Sequence, residues 1–342
     1  MKTLLPFLLC LCMASLSYAT TLRVNNTPGS NAPYTDLTTA HSVASPGDTL
    51  YIEGSNVNYG SLTITKKLVI IGPGYFTAQN ECTPASLPAE VHVFTLQQTI
   101  TNDPASGAAG TEIVGISFTD LSISGLEVYV NDVKVIKCRI NRYLYIRDVN
   151  VTGTTMIQNY CEGQALSSLS INPGLNNIVF SNNIVNGNFS IVDNSSGMIQ
   201  HNVFLGSTFN VEVFNGSIRS NISTSTNTNS FKVSTTGQGS LTDNTAAAGQ
   251  FGSSNGNNTA NPTTLFLGAA TASTDGEYQL LPSAILVKGN AHDGTDRGAF
   301  GGNTPYVLSG VPDIPFIKTI ILSTTVFPAN PLEVRIEAHS GN

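Results

Sequence analysis

The chain has 342 residues, only 11% of them charged, with 31 glycines, no tryptophan and a net charge of −7. Long helical domains carry more Lys and Glu than this, and no basic run is present to meet the phosphates of a nucleic acid. Abundant Asn, Thr, Ser, Gly and Val instead favour many short strands joined by turns, and one continuous solenoid accounts for the length.

Residues 1–19 read as a secretory signal, with Lys2 as the positive start, Leu4 to Leu16 as the apolar run and Ser17-Tyr18-Ala19 as the cleavage site. The run is too short to span a membrane and no other candidate follows. Cys10 and Cys12 lack the small residue that precedes a lipoprotein cysteine; Leu9 and Leu11 stand there instead. The mature chain is therefore expected outside the cytoplasm, in the medium, at the cell surface or in the periplasm. Of its cysteines Cys82, Cys138 and Cys161 remain, an odd number that implies no full disulfide framework, and their pairing is left open. Cys138, between Ile136 and Ile140, is expected to point inward as a small hydrophobe. No Cys-x-x-Cys or His-rich spacing supports a zinc site, and no cofactor is expected.

A first strand is predicted at Leu22–Val24. Leu37, Ala40, His41 and Ala44 then have helical spacing, and Ser45-Pro-Gly-Asp48 ends the helix. So short an amphipathic helix would cover the open end of a coil, with His41 as a half-buried cap residue. Strands follow at Thr49–Ile52, Leu62–Ile64 and Leu68–Ile71, then a Gly72-Pro-Gly74 turn. Residues 75–110, with Cys82, Pro84, Pro88, Pro104 and a Gly/Ala-rich stretch, break the rhythm and read as an insertion from one bend.

From about 110 to 245 one pattern recurs: Phe180-Ser-Asn-Asn183, Ile199-Gln-His-Asn202, Ile218-Arg-Ser-Asn221 and Leu241-Thr-Asp-Asn244. The leading residues step by 19, 19 and 23, with looser copies at Ile136 and Ile157. In phase runs a second column of alternating segments: Leu126–Val130, Leu144–Ile146, Leu169–Ile171, Phe189–Ile191, Phe209–Val213 and Phe231–Val233. The same strands return in the same order about every twenty residues, which suits a parallel β-helix. The repeated Asn is expected at a bend, its amides stacked up the coil and its backbone in the left-handed region.

Residues 245–262 read as a long loop. Beyond it lie Asp275-Gly-Glu-Tyr, Asp293-Gly-Thr and the turn Asp296-Arg-Gly-Ala-Phe-Gly-Gly302. Asp293, Asp296 and Arg297 are read as a capping ion pair and turn in preference to a calcium or substrate site. The tail, 313–342, carries strand-like segments expected to pack on the coil or close its end; it is too short for a sandwich domain.

The run from Tyr34 through Gly47-Asp-Thr-Leu-Tyr-Ile52, Tyr59-Gly60, Leu62–Leu68 and Ile71-Gly72 resembles the amino-terminal cap and first coils of the pectin-lyase-like superfamily. The Asp296–Gly302 turn resembles the closing segment of secreted bacterial β-helix proteins. The resemblance implies an all-β, right-handed parallel β-helix of three-strand coils over 20–312, with an N-terminal capping helix and a C-terminal capping segment. It does not fix an activity, because the superfamily holds lyases, hydrolases, esterases and adhesins.

Parity along the second column points Glu127, Tyr129, Tyr143, Tyr145, Arg147, Ser168, Ser170, Asn210, Glu212 and Lys232 outward. Tyrosines and charges from successive coils would line a shallow face suited to sugar rings, hydroxyls and uronates. The leading expectation is a secreted non-catalytic β-helix that binds polysaccharide, or an adhesin-like structural protein that self-associates. The competing expectation is a polysaccharide lyase of acidic glycans. It would use Lys137, Arg139 and Arg147 as basic residues, with Arg142 nearby and calcium on Asp132 and Asp148; Asp193 is a third acid of the same kind. No Asp-Asp or Asp-x-Asp pair adjoins the strands, as a hydrolase would need.

Overall fold

The computed structural model describes residues 19–80, 87–119, 125–148, 150–168, 177–187, 189–191, 196–206, 209–226, 231–233, 237–322 and 334–339. Residues 1–18, Cys82, Pro84, Ser170 and Asp193 lie outside them, and so do the side chains of Ser168 and Asn210.

The chain winds into a parallel β-helix with three sheets of ten, nine and eight strands. A complete coil contributes a strand to the first sheet, turns sharply into a two-residue strand of the second, and continues to the third. One coil runs through Ile178–Ser181, Ile184–Val185 and Phe189–Ile191. The next runs through Gly197–Gln200, Val203–Phe204 and Phe209–Val213, pairing in parallel with the first at every strand. Alternate side chains point inward and form one continuous apolar core. Towards the carboxy-terminal end its centre is a column of rings, Phe180, Phe189, Phe204, Phe231 and Phe251, with successive centroids 4.4 to 5.4 Å apart.

The amino-terminal helix, α1 (Leu37–Val43), is capped by Asp36, whose carboxylate accepts the Thr39 N–H at 2.7 Å. Leu37 and Ala40 are buried. At its other end Lys66 Nζ donates to the carbonyls of His41 and Ala44, so a cation meets the orphan acceptors. His41 is half-buried there, and its Nε2 accepts the Thr65 N–H at 3.3 Å.

The bend from first to second sheet carries a ladder of asparagine side chains: Asn159, Asn183, Asn202, Asn221, Asn244 and Asn257. Each Nδ2 donates to the Oδ1 of the next at 2.9–3.1 Å. The same Oδ1 accepts the backbone N–H of the rung before. The second Nδ2 hydrogen goes to a main-chain carbonyl of the preceding coil, as from Asn202 to Phe180 O. Every donor and acceptor of a buried amide is thereby used, which neither Asp nor Gln could achieve in this space. The first rung ends on Cys138, whose N–H donates to Asn159 Oδ1. Cys138 and Cys161 are free, buried thiols in adjoining coils, and burial raises Cys138 to about 12.

The ladder corrects the expected backbone. The left-handed residue is the one before each Asn: Gln158, Asn182, His201, Ser220, Asp243 and Gly256, with φ between 51° and 74°; Lys137, before Cys138, has φ 53° at the same bend. The Asn itself supplies hydrogen bonds, and its neighbour absorbs the turn.

Two segments read as departures from the coil belong partly to it. Within 75–110, Glu90–Val91 pairs with Ser117–Phe118, and Phe94–Leu96 lies between Leu62–Ile64 and Leu126–Val128. The prolines that broke the rhythm fall outside these strands. Within 245–262, Thr245–Ala246 and Asn258–Thr259 extend the second sheet, and Asn257 is the last rung.

Residues 260–313 run back along the outer face of the second sheet as a strap, covering the flank of the coil. They bury Ala260, Leu265, Ala284, Val287, Ala299 and Tyr306 against Tyr160, Ile184, Val203 and Ile222 in a second core. The turn predicted at 296–302 is part of this strap. Gly298, with φ +83°, lies so close to the sheet that a Cβ would stand 2.8 Å from Ile222. Asp296 pairs with Lys288 at 3.2 Å, and Arg297 donates to main-chain carbonyls. In the tail, Phe316–Leu322 and Val334–His339 form an antiparallel pair with each other and join none of the three coil sheets.

Candidate functional site

The third sheet presents the outward face expected from parity. Leu144 and Ile146 are buried in the core, so Tyr143, Tyr145 and Arg147 project from the other side of the same strand. The rings of Tyr143 and Tyr145 are stacked, with centroids 4.9 Å apart and planes 17° from parallel. The guanidinium carbon of Arg147 lies 4.2 Å from the Tyr145 centroid. Tyr145 is the middle residue of the three along the strand, with aromatic and guanidinium neighbours. Burial, then Tyr143, raises its phenol above the ordinary range, so it stays neutral.

The register places Glu127 of the preceding coil opposite Tyr145. Its Oε1 accepts a hydrogen bond from Arg147 Nη2, with both side chains 19% exposed. Arg147 is thus clamped by charge on one side and by an aromatic face on the other. Tyr129 is half-buried two residues beyond Glu127, and its carbonyl accepts from Gln98 Nε2. Farther along the same sheet Glu212 and Lys232 are register partners, Lys232 exposed. Their strands stand three and four positions from that of Tyr145, or about 14 and 19 Å at the spacing of paired strands.

The five residues that a lyase would need do not converge. Lys137 sits in the left-handed bend between first and second sheets, buried and paired to Asp313 at 2.6 Å. Arg139 is on the second sheet, 2.8 Å from Glu162 and 5.0 Å from the Phe76 centroid. Arg147 is on the third sheet. Asp132 and Asp148 follow third-sheet strands. Asp132 has φ 58° and packs against Gly153, while Asp148 accepts from Gln98 and from the Asn150 N–H. Each of the three basic residues already has a carboxylate partner.

Sequence reading missed a groove of about 490 Å³ across the first sheet, lined by Asn177, Ser196, Met198, Asn215, Ser217 and Gln238. Gly197 forms part of its floor, where a Cβ would stand 2.5 Å from Ile178 O. The polar residues lie just before or within separate first-sheet strands, so only strand pairing brings them together.

No protein-family model matches the chain, and no curated protein or solved structure is significantly similar to it. No described helix is long and apolar enough to cross a membrane.

Proposed function

We propose that this is a secreted, non-catalytic β-helix protein that binds polysaccharide on its third-sheet face. The row Tyr143, Tyr145, Arg147 and Glu127 carries the reading. Tyr143 stands at the end of the stack and offers a ring to the apolar face of a sugar. The clamped Arg147–Glu127 pair beside it offers oriented polar groups to hydroxyls, at little further entropic cost. Kinship with the pectin-lyase-like superfamily is part of the proposal, while the lyase alternative has no assembled site among the described residues. Retention of the mature chain on a panel of immobilised polysaccharides tests the proposal. Retention weakened by Tyr143→Ala, with no unsaturated uronide released with or without calcium, is the expected result. Uronide release that disappears in Arg147→Ala would replace binding by lysis.

Export is part of the same proposal. Cleavage after Ala19 makes Thr20 the first residue, and its nitrogen lies 2.8 Å from Asp48 Oδ1. A new α-ammonium would therefore be created against a buried carboxylate whose Oδ2 already accepts the Ser45 N–H. The hydrogen bonds from Thr20, then Ser45, hold Asp48 below its ordinary pKa. A depressed carboxylate contributes stability above its unfolded pKa of about 3.9 and loses it as pH falls through the folded value. Mass spectrometry of the exported protein should find Thr20 first. Asp48→Ala should cost about 2 kcal/mol near neutral pH, and the gap to wild type should narrow as pH falls through the folded pKa. A gap unchanged across that range would remove the charged pair from the account.

A further inference from the structure

The left-handed residues of the bend project outward beneath the strap, and most find a partner there. Lys137 meets Asp313; Asn182 Nδ2 donates to the carbonyls of Ala299 and Gly301; Ser220 Oγ lies 2.8 Å from His292 Nδ1. His201 is the exception. Its side chain is 2% exposed, and its ring nitrogens have only poorly aligned contacts, with the Asp293 carboxylate and the Asp296 main chain. The ring is seated against Gly301 and Gly302, where a Cβ on either would come within 3.1 Å of it. Nε2 faces Asp293 Oδ2 at 3.3 Å. A buried imidazole held only by such contacts is costly in a bare protein.

The surrounding groups are arranged as metal ligands would be. The ligand atoms of His201, His292 and Asp293 all lie within 4.8 Å of one another. Asp293 Oδ1 is occupied by the Thr295 N–H and hydroxyl, which leaves Oδ2 for the cluster. The bond between His292 Nδ1 and Ser220 Oγ orients the ring and leaves Nε2 as the lone-pair atom when Nδ1 carries the proton. Burial holds both histidines below their ordinary pKa, with Arg219 adding to the effect at His292.

We propose that His201, His292 and Asp293 bind a divalent transition metal, zinc above others, which staples the strap to the coil. Two imidazoles and one carboxylate suit zinc, whereas calcium requires six to eight oxygens. Zinc bonds of about 2.0–2.1 Å give a tetrahedral edge of about 3.3–3.4 Å. The His201–Asp293 separation of 3.3 Å already matches it. His292, on the exposed side of the strap, closes the rest, and the fourth position is left to water. One ligand comes from the coil and two from the strap, so binding stabilises their docked state.

The test is calorimetric titration of zinc into the untagged, chelator-treated mature protein, with cobalt(II) absorption as a geometric probe. One site of Kd about 1 µM or tighter is expected, with the intense bands of tetrahedral cobalt. The melting midpoint should rise by about 5 °C at a hundredfold excess over Kd. His292→Ala and Asp293→Asn, both at exposed positions, should fold and each weaken zinc by more than about tenfold. His201→Asn, which keeps a residue tolerant of the left-handed bend, should do the same. Absence of a saturable site, or a Kd unchanged in His292→Ala and Asp293→Asn, overturns the assignment.

Discussion

Asn202→Ala should melt roughly 10 °C below the wild-type protein. Asn202 is fully buried, and its Oδ1 accepts both the backbone N–H and the Nδ2 of Asn183. Its own Nδ2 serves Asn221 Oδ1, Phe180 O and Gln200 O. Truncation leaves two donors of Asn183 without this acceptor and two carbonyls without this donor, where water does not reach. At about 1–3 kcal/mol per orphaned buried group, partly relieved by relaxation, the loss is about 3–5 kcal/mol. A chain of this size converts that at about 2–4 °C per kcal/mol. Asn202→Asp should be no better, because a carboxylate would set oxygen against Asn221 Oδ1 and Phe180 O and bury a charge. Thermal melts followed by circular dichroism measure both; a loss below about 1 kcal/mol would show that the ladder decorates the bend without supporting it.

Arg297→Ala should release the strap while the coil stays folded. The guanidinium is buried and spends its donors on four oxygens from three segments. Nε goes to Asn290 O at 2.7 Å, Nη1 to Asn244 O at 3.0 Å and Thr245 Oγ1 at 3.1 Å, and Nη2 to Gly256 O at 2.9 Å. It therefore ties the last ladder turns to the strap. Its removal orphans the carbonyls of Asn290 and Gly256, leaves Asn244 O with the Asn258 N–H alone, and opens a cavity, for a cost of about 3–5 kcal/mol. Lys cannot reproduce the planar fork, so Arg297→Lys should recover less than half of the loss. In a solenoid such damage stays local. Limited proteolysis should cut Arg297→Ala first within 260–313 and spare the coil; equal rates of strap cleavage in variant and wild type would contradict this.

The ladder was legible where one residue type recurs at a regular step, as at Asn183, Asn202, Asn221 and Asn244. Asn159 and Asn257 join at separations of 24 and 13 residues, which no fixed period reveals. The left-handed column was hidden for a different reason. A positive φ is a backbone demand, and Lys137, Gln158, Asn182, His201, Ser220 and Asp243 share no side-chain chemistry. Several of their side chains instead meet the strap. The strap itself left a readable trace in Ile184-Val185 and Val203-Phe204, where consecutive apolar residues mean that both faces of a strand are covered. Parity found Tyr143, Tyr145 and Arg147, because a strand repeats every two residues. It could not find that Glu127 clamps Arg147, which depends on inter-coil register. The scattering of Lys137, Arg139 and Arg147 has the same origin. Ten residues of chain cross two bends here, so neighbours in sequence face three directions.

The most direct test of the binding face is equilibrium titration of the polysaccharide that the mature chain retains best, against wild type and Tyr143→Ala. Loss of one stacking ring at an exposed site should weaken binding about tenfold, or about 1.4 kcal/mol, with Lys137→Met unchanged in affinity. Equal affinity in wild type and Tyr143→Ala, or a loss in Lys137→Met of the same size, would contradict the assignment of the third sheet as the site.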